Sequence, residues 1–243
     1  MSSVARRGLV TGASGGIGAA IARRLAQNGI TLYLHAHRGG ERIAALAAEL
    51  ASAGCEVHVL RFDVTDAGAT RAALETALES GPIQVLVNNA GIHDDAVMPG
   101  MSAQQWQRVI DVGVNGFFNV TQPLLLPMIR TRWGRIINIS SVSAQTGNRG
   151  QVNYAAAKGA INSATRALAL ELASRGITVN AVAPGIIESE MSAGHFDAAT
   201  IARLVPMQRG GRAEEVAHLV GFLAGDAAAY VTGQVISING GMY

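Results

Sequence analysis

The chain has 243 residues, of which 49% are hydrophobic and 15% charged, with 29 glycines and a formal net charge of +2. That length suits one large α/β domain, and the composition suits a buried parallel sheet with many tight turns. Scattered charge with no basic run disfavours a nucleic-acid binder. One cysteine, Cys55, excludes an intrachain disulfide and cannot build a metal site alone. No segment offers about 18 consecutive apolar residues, and no leader pattern opens the chain, so a soluble, cytoplasmic protein is expected, with no membrane partner.

Residues 7–12 read as a first strand running into glycine, and residues 16–28 as a helix of mixed face ending at Gly29. A strand at Thr31–His35, a helix at about 41–53, a strand at Val57–Phe62, a helix at Asp66–Glu79 and a strand at Ile83–Asn88 follow. This alternation predicts a doubly wound parallel sheet of about seven strands with helices on both faces, a Rossmann-like single domain over 1–243. The second half continues it: a short helix near Ser102–Gln107, a long one at about Val109–Thr131, and a strand at Arg135–Ser140. Next come a helix around Tyr154–Ser174, a strand at Thr178–Ala183, a long connection from Pro184 to Arg212, a helix at 213–224 and a strand at Val235–Ile238.

Between the first strand and helix lies Thr11-Gly12-Ala13-Ser14-Gly15-Gly16-Ile17-Gly18. Glycines at 12, 16 and 18 permit a tight turn and close approach of backbone to a pyrophosphate, backed by a helix N-terminus. The spacing is G-x-x-x-G-x-G rather than G-x-G-x-x-G. A bare structural turn is the alternative reading. After the second strand an NAD site would carry a carboxylate for the ribose hydroxyls, but the first acid is Glu41. Arg38 instead offers a guanidinium suited to a 2′-phosphate, so NADP(H) is the expected cofactor.

Tyr154 and Lys158, four residues apart, stack on one helix face. An ammonium beside a phenol favours the phenolate and so should lower a tyrosine pKa from about 10. Ser141, at the end of the apolar run Ile136–Ile139, can face that pair and hold a carbonyl oxygen.

Together these residues resemble the short-chain dehydrogenase/reductase family over essentially the whole chain. The resemblance is carried by TGASGGIG (11–18), the Asp63 of FDV, NNAG (88–91), Ser141, Tyr154-Ala-Ala-Ala-Lys158 and Ala183-Pro184-Gly185. It implies that Gly12, Ser14, Gly15, Gly16, Ile17 and Gly18 cradle the cofactor phosphates and that Asp63, with Val64, meets adenine. It further implies that Asn89, Ala90 and Gly91 pass beside the cofactor and that Pro184, Gly185 and Ile187 line the nicotinamide. Tyr154 would be the proton donor, Ser141 would orient substrate, and Lys158 would bind the nicotinamide ribose.

Within the family the chain most resembles bacterial 3-oxoacyl-[acyl-carrier-protein] reductases, on GNRGQVNYAAAKGAI (147–161), ELASRGITVNAVAPGIIESEM (171–191) and ISINGGMY (236–243). That implies NADPH-dependent reduction of a 3-oxoacyl thioester to a (3R)-3-hydroxyacyl thioester in fatty-acid biosynthesis. It also implies acyl carrier protein docking on Arg132 and Arg175, a homotetramer, and a lid at 184–212 over the acyl chain. Met191, His195, Phe196, Leu204 and Met207 are apolar or amphipathic enough to line that lid, packing on the helix beneath being the equal alternative for those five. At both arginines helix capping is the alternative role. One position departs from the pattern: Gly113 stands where the family has a catalytic asparagine, and Asn115 falls about 200° further round an ideal helix. Two other functions stay open on these grounds: reduction of another small ketone without a carrier, and a weakly active cofactor-binding partner subunit.

Overall fold

The structure is a computed structural model that describes residues 6–188 and 197–243. Its centre is one parallel sheet of seven strands: β1 (Arg7–Val10), β2 (Thr31–His35), β3 (Val57–Leu60), β4 (Val85–Asn88), β5 (Gly134–Ile139), β6 (Ile177–Pro184) and β7 (Val235–Ile238). The order is β3-β2-β1-β4-β5-β6-β7, so the winding reverses between β1 and β4. At such a reversal the connections leave in opposite directions and open a crevice at the carboxyl ends of the strands. Here Thr11-Gly12 and Asn89-Ala90 face each other across it.

Every residue of β1, β2, β5 and β6 is buried, whereas the edge strands β3 and β7 are only partly so. This explains why the central strands read as apolar runs without alternation. Helices α1 (Gly16–Gln27) and α2 (Gly40–Ser52) cover one face, with α9 (Ala213–Leu223) packed against α1. Ile21, Leu25, Ile43, Leu46, Val216 and Val220 form that core. The other face carries α3 (Ala67–Glu79), α5 (Gly116–Thr131) and α7 (Val152–Leu172) over Leu9, Leu86, Ile136 and Val179. Pro123 and Pro127 lie inside α5, yet Val120, Leu124 and Met128 still form a buried stripe at a spacing of four.

The described part of the connection before α9 includes α8 (Ala198–Leu204), and an isolated bridge joins Ile187 to Gly211. Between β5 and α7 runs a single short helix, α6 (Ser143–Thr146).

Expected and observed boundaries coincide at β2 and β7. The first, third and fourth strands are shorter than expected, ending or starting at Val10, Leu60 and Val85, although Thr11 and Gln84 still hydrogen-bond to the neighbouring strands. The expected long helix at 109–131 is α4 (Ala103–Ile110) joined to α5 by a π-turn over Asp111–Asn115. The Gly116 amide there bonds the Asp111 carbonyl five residues back, so this stretch departs from ideal α geometry around Gly113.

Candidate active site

The glycine turn follows directly from β1. Gly12 has φ +64°, and a Cβ on Gly18 would lie 2.4 Å from the Gly12 carbonyl oxygen, so neither position accepts a side chain without moving backbone. The first turn of α1 carries no acid and Gly15 supplies no side-chain cap, which leaves a positive helix end open over the crevice. Ser14 Oγ donates to the Arg38 carbonyl at 3.3 Å, tying the turn to the end of β2. Across the crevice, Asn89 Nδ2 donates to the carbonyls of Thr11 and Gly12 at 2.9 and 3.1 Å, and Thr11 Oγ1 accepts from the amides of Asn89 and Ala90. This backbone cradle has the shape and charge to fit a pyrophosphate.

At the outer end, Asp63 accepts from the amide and hydroxyl of Thr65, both at 2.9 Å. Burial pushes its pKa up, but these two bonds, together with His37 and Arg38 nearby, outweigh that and hold the carboxyl below its ordinary value. Asn119 Nδ2 of α5 fixes the Val64 carbonyl at 2.9 Å. Arg38 is exposed, and a second arginine reaches the same loop two residues on: a Cβ on Gly40 would lie 2.9 Å from the Arg61 guanidinium. The sequence reading missed Arg61, because only the pairing of β2 with β3 brings it to the loop after Arg38. An arginine directly after a strand is the one signal that could have marked it.

At the inner end, Ser141, Tyr154 and Lys158 converge beyond the carboxyl ends of β5 and β6. Ser141 Oγ accepts from the Ser143 amide at 3.1 Å and is hydrogen-bonded to the Tyr154 phenol. Lys158 is buried, donates to the Ile139 carbonyl at 2.7 Å, and lies 5.7 Å from the Tyr154 ring centre. A Cβ on Gly91 would stand 3.3 Å from its Nζ, so the Asn89–Gly91 turn passes directly over the ammonium.

Burial lowers Lys158 to about 8. It also pushes the Tyr154 phenol above its ordinary value; the bond to Ser141 opposes this and the Asp95 charge adds to it. The sequence expectation was a lowered phenol. Burial of the phenol is the largest influence here and sets the direction of the shift. Asp95 is itself held by Gln151 Nε2 at 2.8 Å and faces His93 at 3.4 Å.

Pro184 and Gly185 end β6 beside this group. The Pro184 carbonyl accepts from Val142 at 2.8 Å, Gly185 bonds Ile238, and Ile187 is buried. Met191, His195 and Phe196, expected over the substrate, lie outside the described residues. Leu204 and Met207 are exposed.

Gly113 lines a small cavity of about 10 Å³ together with Asn88, Ala90 and Lys158. A Cβ at Gly113 would meet the Ala157 methyl at 3.2 Å, so the glycine lets the π-turn sit close against α7 one residue before Lys158. Asn115 does not take over: it is exposed, and its Nδ2 bonds Asp111 Oδ1 at 2.7 Å.

Arg132 and Arg175 are brought together but not to this site. Arg132 caps α5 with φ 51° and donates to the Ser174 carbonyl at 3.3 Å. Both precede the first residues of β5 and β6, on the amino edge of the sheet. The six residues of β5 separate that edge from Ser141 by roughly 20 Å, at about 3.3 Å per residue.

Comparison with known proteins agrees with this geometry. The family model for short chain dehydrogenase matches residues 7–199. A 3-oxoacyl-[acyl-carrier-protein] reductase FabG of Aggregatibacter actinomycetemcomitans is 45% identical, the match covering 96% of this chain and 98% of the relative. The FabG reductase of Pseudomonas aeruginosa is 44% identical over 100% and 99%. Nodulation protein G of a Rhizobium species is 45% identical over 98% and 96%. A sheet reversed at β1 and β4, a glycine turn over an uncapped helix end, and a Ser–Tyr–Lys group at the carboxyl edge therefore coincide with near full-length similarity, and the chain belongs to the short-chain dehydrogenase family.

Proposed function

We propose that the protein reduces the 3-oxo group of an acyl thioester carried on acyl carrier protein, using NADPH, to a (3R)-3-hydroxyacyl thioester. The observation that carries this reading is the convergence of Ser141, Tyr154 and Lys158 beside the crevice, in a chain about 45% identical to two relatives named for that reaction or for nodulation. The turn from Gly12 to Gly18 holds the pyrophosphate, Asp63 and Val64 the adenine side, and Asn89 to Gly91 the middle of the cofactor. Pro184, Gly185 and Ile187 back the nicotinamide. Arg38 and Arg61 together select the 2′-phosphate, since charge-assisted bonds from two guanidiniums favour a phosphate over a hydroxyl.

When bound, the reduced nicotinamide supplies a hydride to the substrate's 3-carbon. As negative charge grows on the substrate's carbonyl oxygen, Ser141 Oγ and Tyr154 Oη donate hydrogen bonds to it. Tyr154 then gives up its proton, closing the alcohol, and its raised pKa keeps that proton in place until the oxygen becomes basic enough to take it. Lys158, an ammonium below about pH 8, stabilises the resulting phenolate and reaches the ribose.

The carrier protein docks on Arg132 and Arg175. Because those residues lie on the far edge, a docked carrier serves a neighbouring copy. An antiparallel pairing of α5 with its mate sets Arg132 of one chain near the Gly116 end, and hence the active site, of the next. Exposed Phe118 and Leu126 on α5 and Leu170 on α7 offer the apolar face for it, consistent with a homotetramer. No helix of the described residues is long and apolar enough to cross a membrane, and the cytoplasm is the proposed place of action.

The deciding experiment is NADPH oxidation with an acetoacetyl thioester, free and carrier-bound. Turnover is expected to depend on Tyr154 and to fall on carrier-bound substrate alone when Arg132 and Arg175 become Glu. Binding of NADPH with no turnover on either substrate would redirect the reading to another ketone.

A further inference from the structure

His35, the last residue of β2, is buried and lies directly beneath the glycine turn. Its Nδ1 is 3.3 Å from the Gly12 amide nitrogen, and its Nε2 is 3.0 Å from the Phe62 carbonyl oxygen. A carbonyl can only accept and an amide N–H can only donate. The two contacts together therefore fix one state of the ring: neutral, with the proton on Nε2 and a lone pair on Nδ1. The His35 carbonyl also accepts from the Ala13 amide at 2.9 Å, and the ring packs on Phe62 at 4.0 Å between centres. One residue thus braces both arms of the crevice, the Gly12–Ala13 turn on one side and the Phe62 approach to Asp63 on the other.

We infer that His35 is a positioning residue for the dinucleotide turn: its neutral ring holds the Gly12 amide, and protonating Nδ1 releases that arm and weakens cofactor binding. This inference rests on the dinucleotide reading above. A protonated ring would set an N–H against the Gly12 N–H, two donors facing each other. Burial disfavours that state first. The Phe62 carbonyl works against burial, the neighbouring His37 adds to it, and Asp63 opposes it. His37 and Asp63, themselves 3.3 Å apart, are the titratable groups that act on the ring among the described residues. The protein should therefore keep its turn at neutral pH and lose it in acid.

The test is direct NADPH binding, followed by fluorescence from pH 5 to 8, in wild type, His35→Asn and His35→Gln. All three proteins share every other group and the same cofactor, so the difference between wild type and variants reports on His35. Wild-type affinity is expected to fall about three- to tenfold more than that of the variants as acid protonates the ring, the worth of one hydrogen bond. Independently, ¹⁵N NMR of the ligand-free wild type should show His35 as the Nε2–H tautomer, and this readout stands even if both variants fail to fold. An Nδ1–H tautomer, or parallel pH profiles in wild type and a folded variant, overturns the inference and leaves dinucleotide binding intact. No NADPH binding at any pH would instead remove the dinucleotide reading, and the inference with it.

Discussion

The two ends of the crevice solve recognition in opposite ways. Around Gly12–Gly18 the work is done by backbone: a positive-φ glycine, an uncapped helix end, and carbonyls locked by Asn89. Around Ser141, Tyr154 and Lys158 it is done by side chains whose proton affinities are set mainly by burial. At the first end, Gly12 and Gly18 admit no added atoms. At the second, the functional groups themselves carry the chemistry. A substitution's cost should therefore follow chemistry at one end and volume at the other.

The largest effect is expected at the chemical end. Tyr154→Phe removes the proton donor at nearly constant volume, so turnover should fall about 10²- to 10⁴-fold. NADPH affinity, measured by fluorescence, should hardly change; a matching loss of affinity would erase the distinction between the two ends. Next is Gly18→Ala. Its new methyl would lie 2.4 Å from the Gly12 carbonyl oxygen, so NADPH binding should collapse together with a lowered melting temperature. Unchanged binding would show that the turn yields more readily than its contacts indicate.

Arg38→Glu and Arg61→Glu should each cut the NADPH-over-NADH preference by about ten- to a hundredfold, the range of a charge-assisted hydrogen bond. An effect confined to Arg38 would remove Arg61 from the site. For Lys158 the sign is set by linkage. The folded pKa is lowered to about 8 against 10.5 unfolded. Below pH 8 both states are charged and the buried ammonium destabilises fully, whereas between 8 and 10.5 the native state sheds its proton first and the penalty eases. Ligand-free Lys158→Met should thus be more stable than wild type at pH 7, with the gap narrowing by pH 10 in thermal melts. A gap independent of pH would mean that the lysine carries no such penalty.

The smallest effect is expected at Gly113→Asn. With the Ala157 methyl 3.2 Å from the new Cβ, crowding should lower stability by about 1–3 kcal/mol. Turnover per folded molecule should change little. A large rise in turnover would show instead that the asparagine-free site is handicapped.

The sequence made the alternation of elements legible because buried parallel strands and glycine stops are local signals: Thr31–His35 and Val235–Ile238 were placed to the residue. Tyr154, Lys158 and Ser141 were legible because their spacing is local too. What escaped was decided across the sheet. Arg61 reaches the loop after Arg38 only through the β2–β3 pairing, and His35 looks like any strand residue until Gly12 and Phe62 arrive at its two nitrogens. The π-turn at Asp111–Asn115 is likewise invisible to periodicity, since it appears where Gly113 meets Ala157 of another helix. The direction of the Tyr154 shift was misread for a related reason: helical spacing brings in the lysine but says nothing of how deeply the phenol is buried.

The position of Arg132 and Arg175 has a thermodynamic consequence. They share no partner with Ser141 or Tyr154, and roughly 20 Å of strand lies between, well beyond the 7–10 Å within which substitutions couple. Within one chain, changes in folding free energy at the two edges should accordingly sum, with an interaction energy near zero in a double-mutant cycle read by thermal melts. If the rim docks a carrier as proposed, charge exchange there would re-address the chain to a different protein surface while the proposed proton-transfer group on the other edge stays as it is.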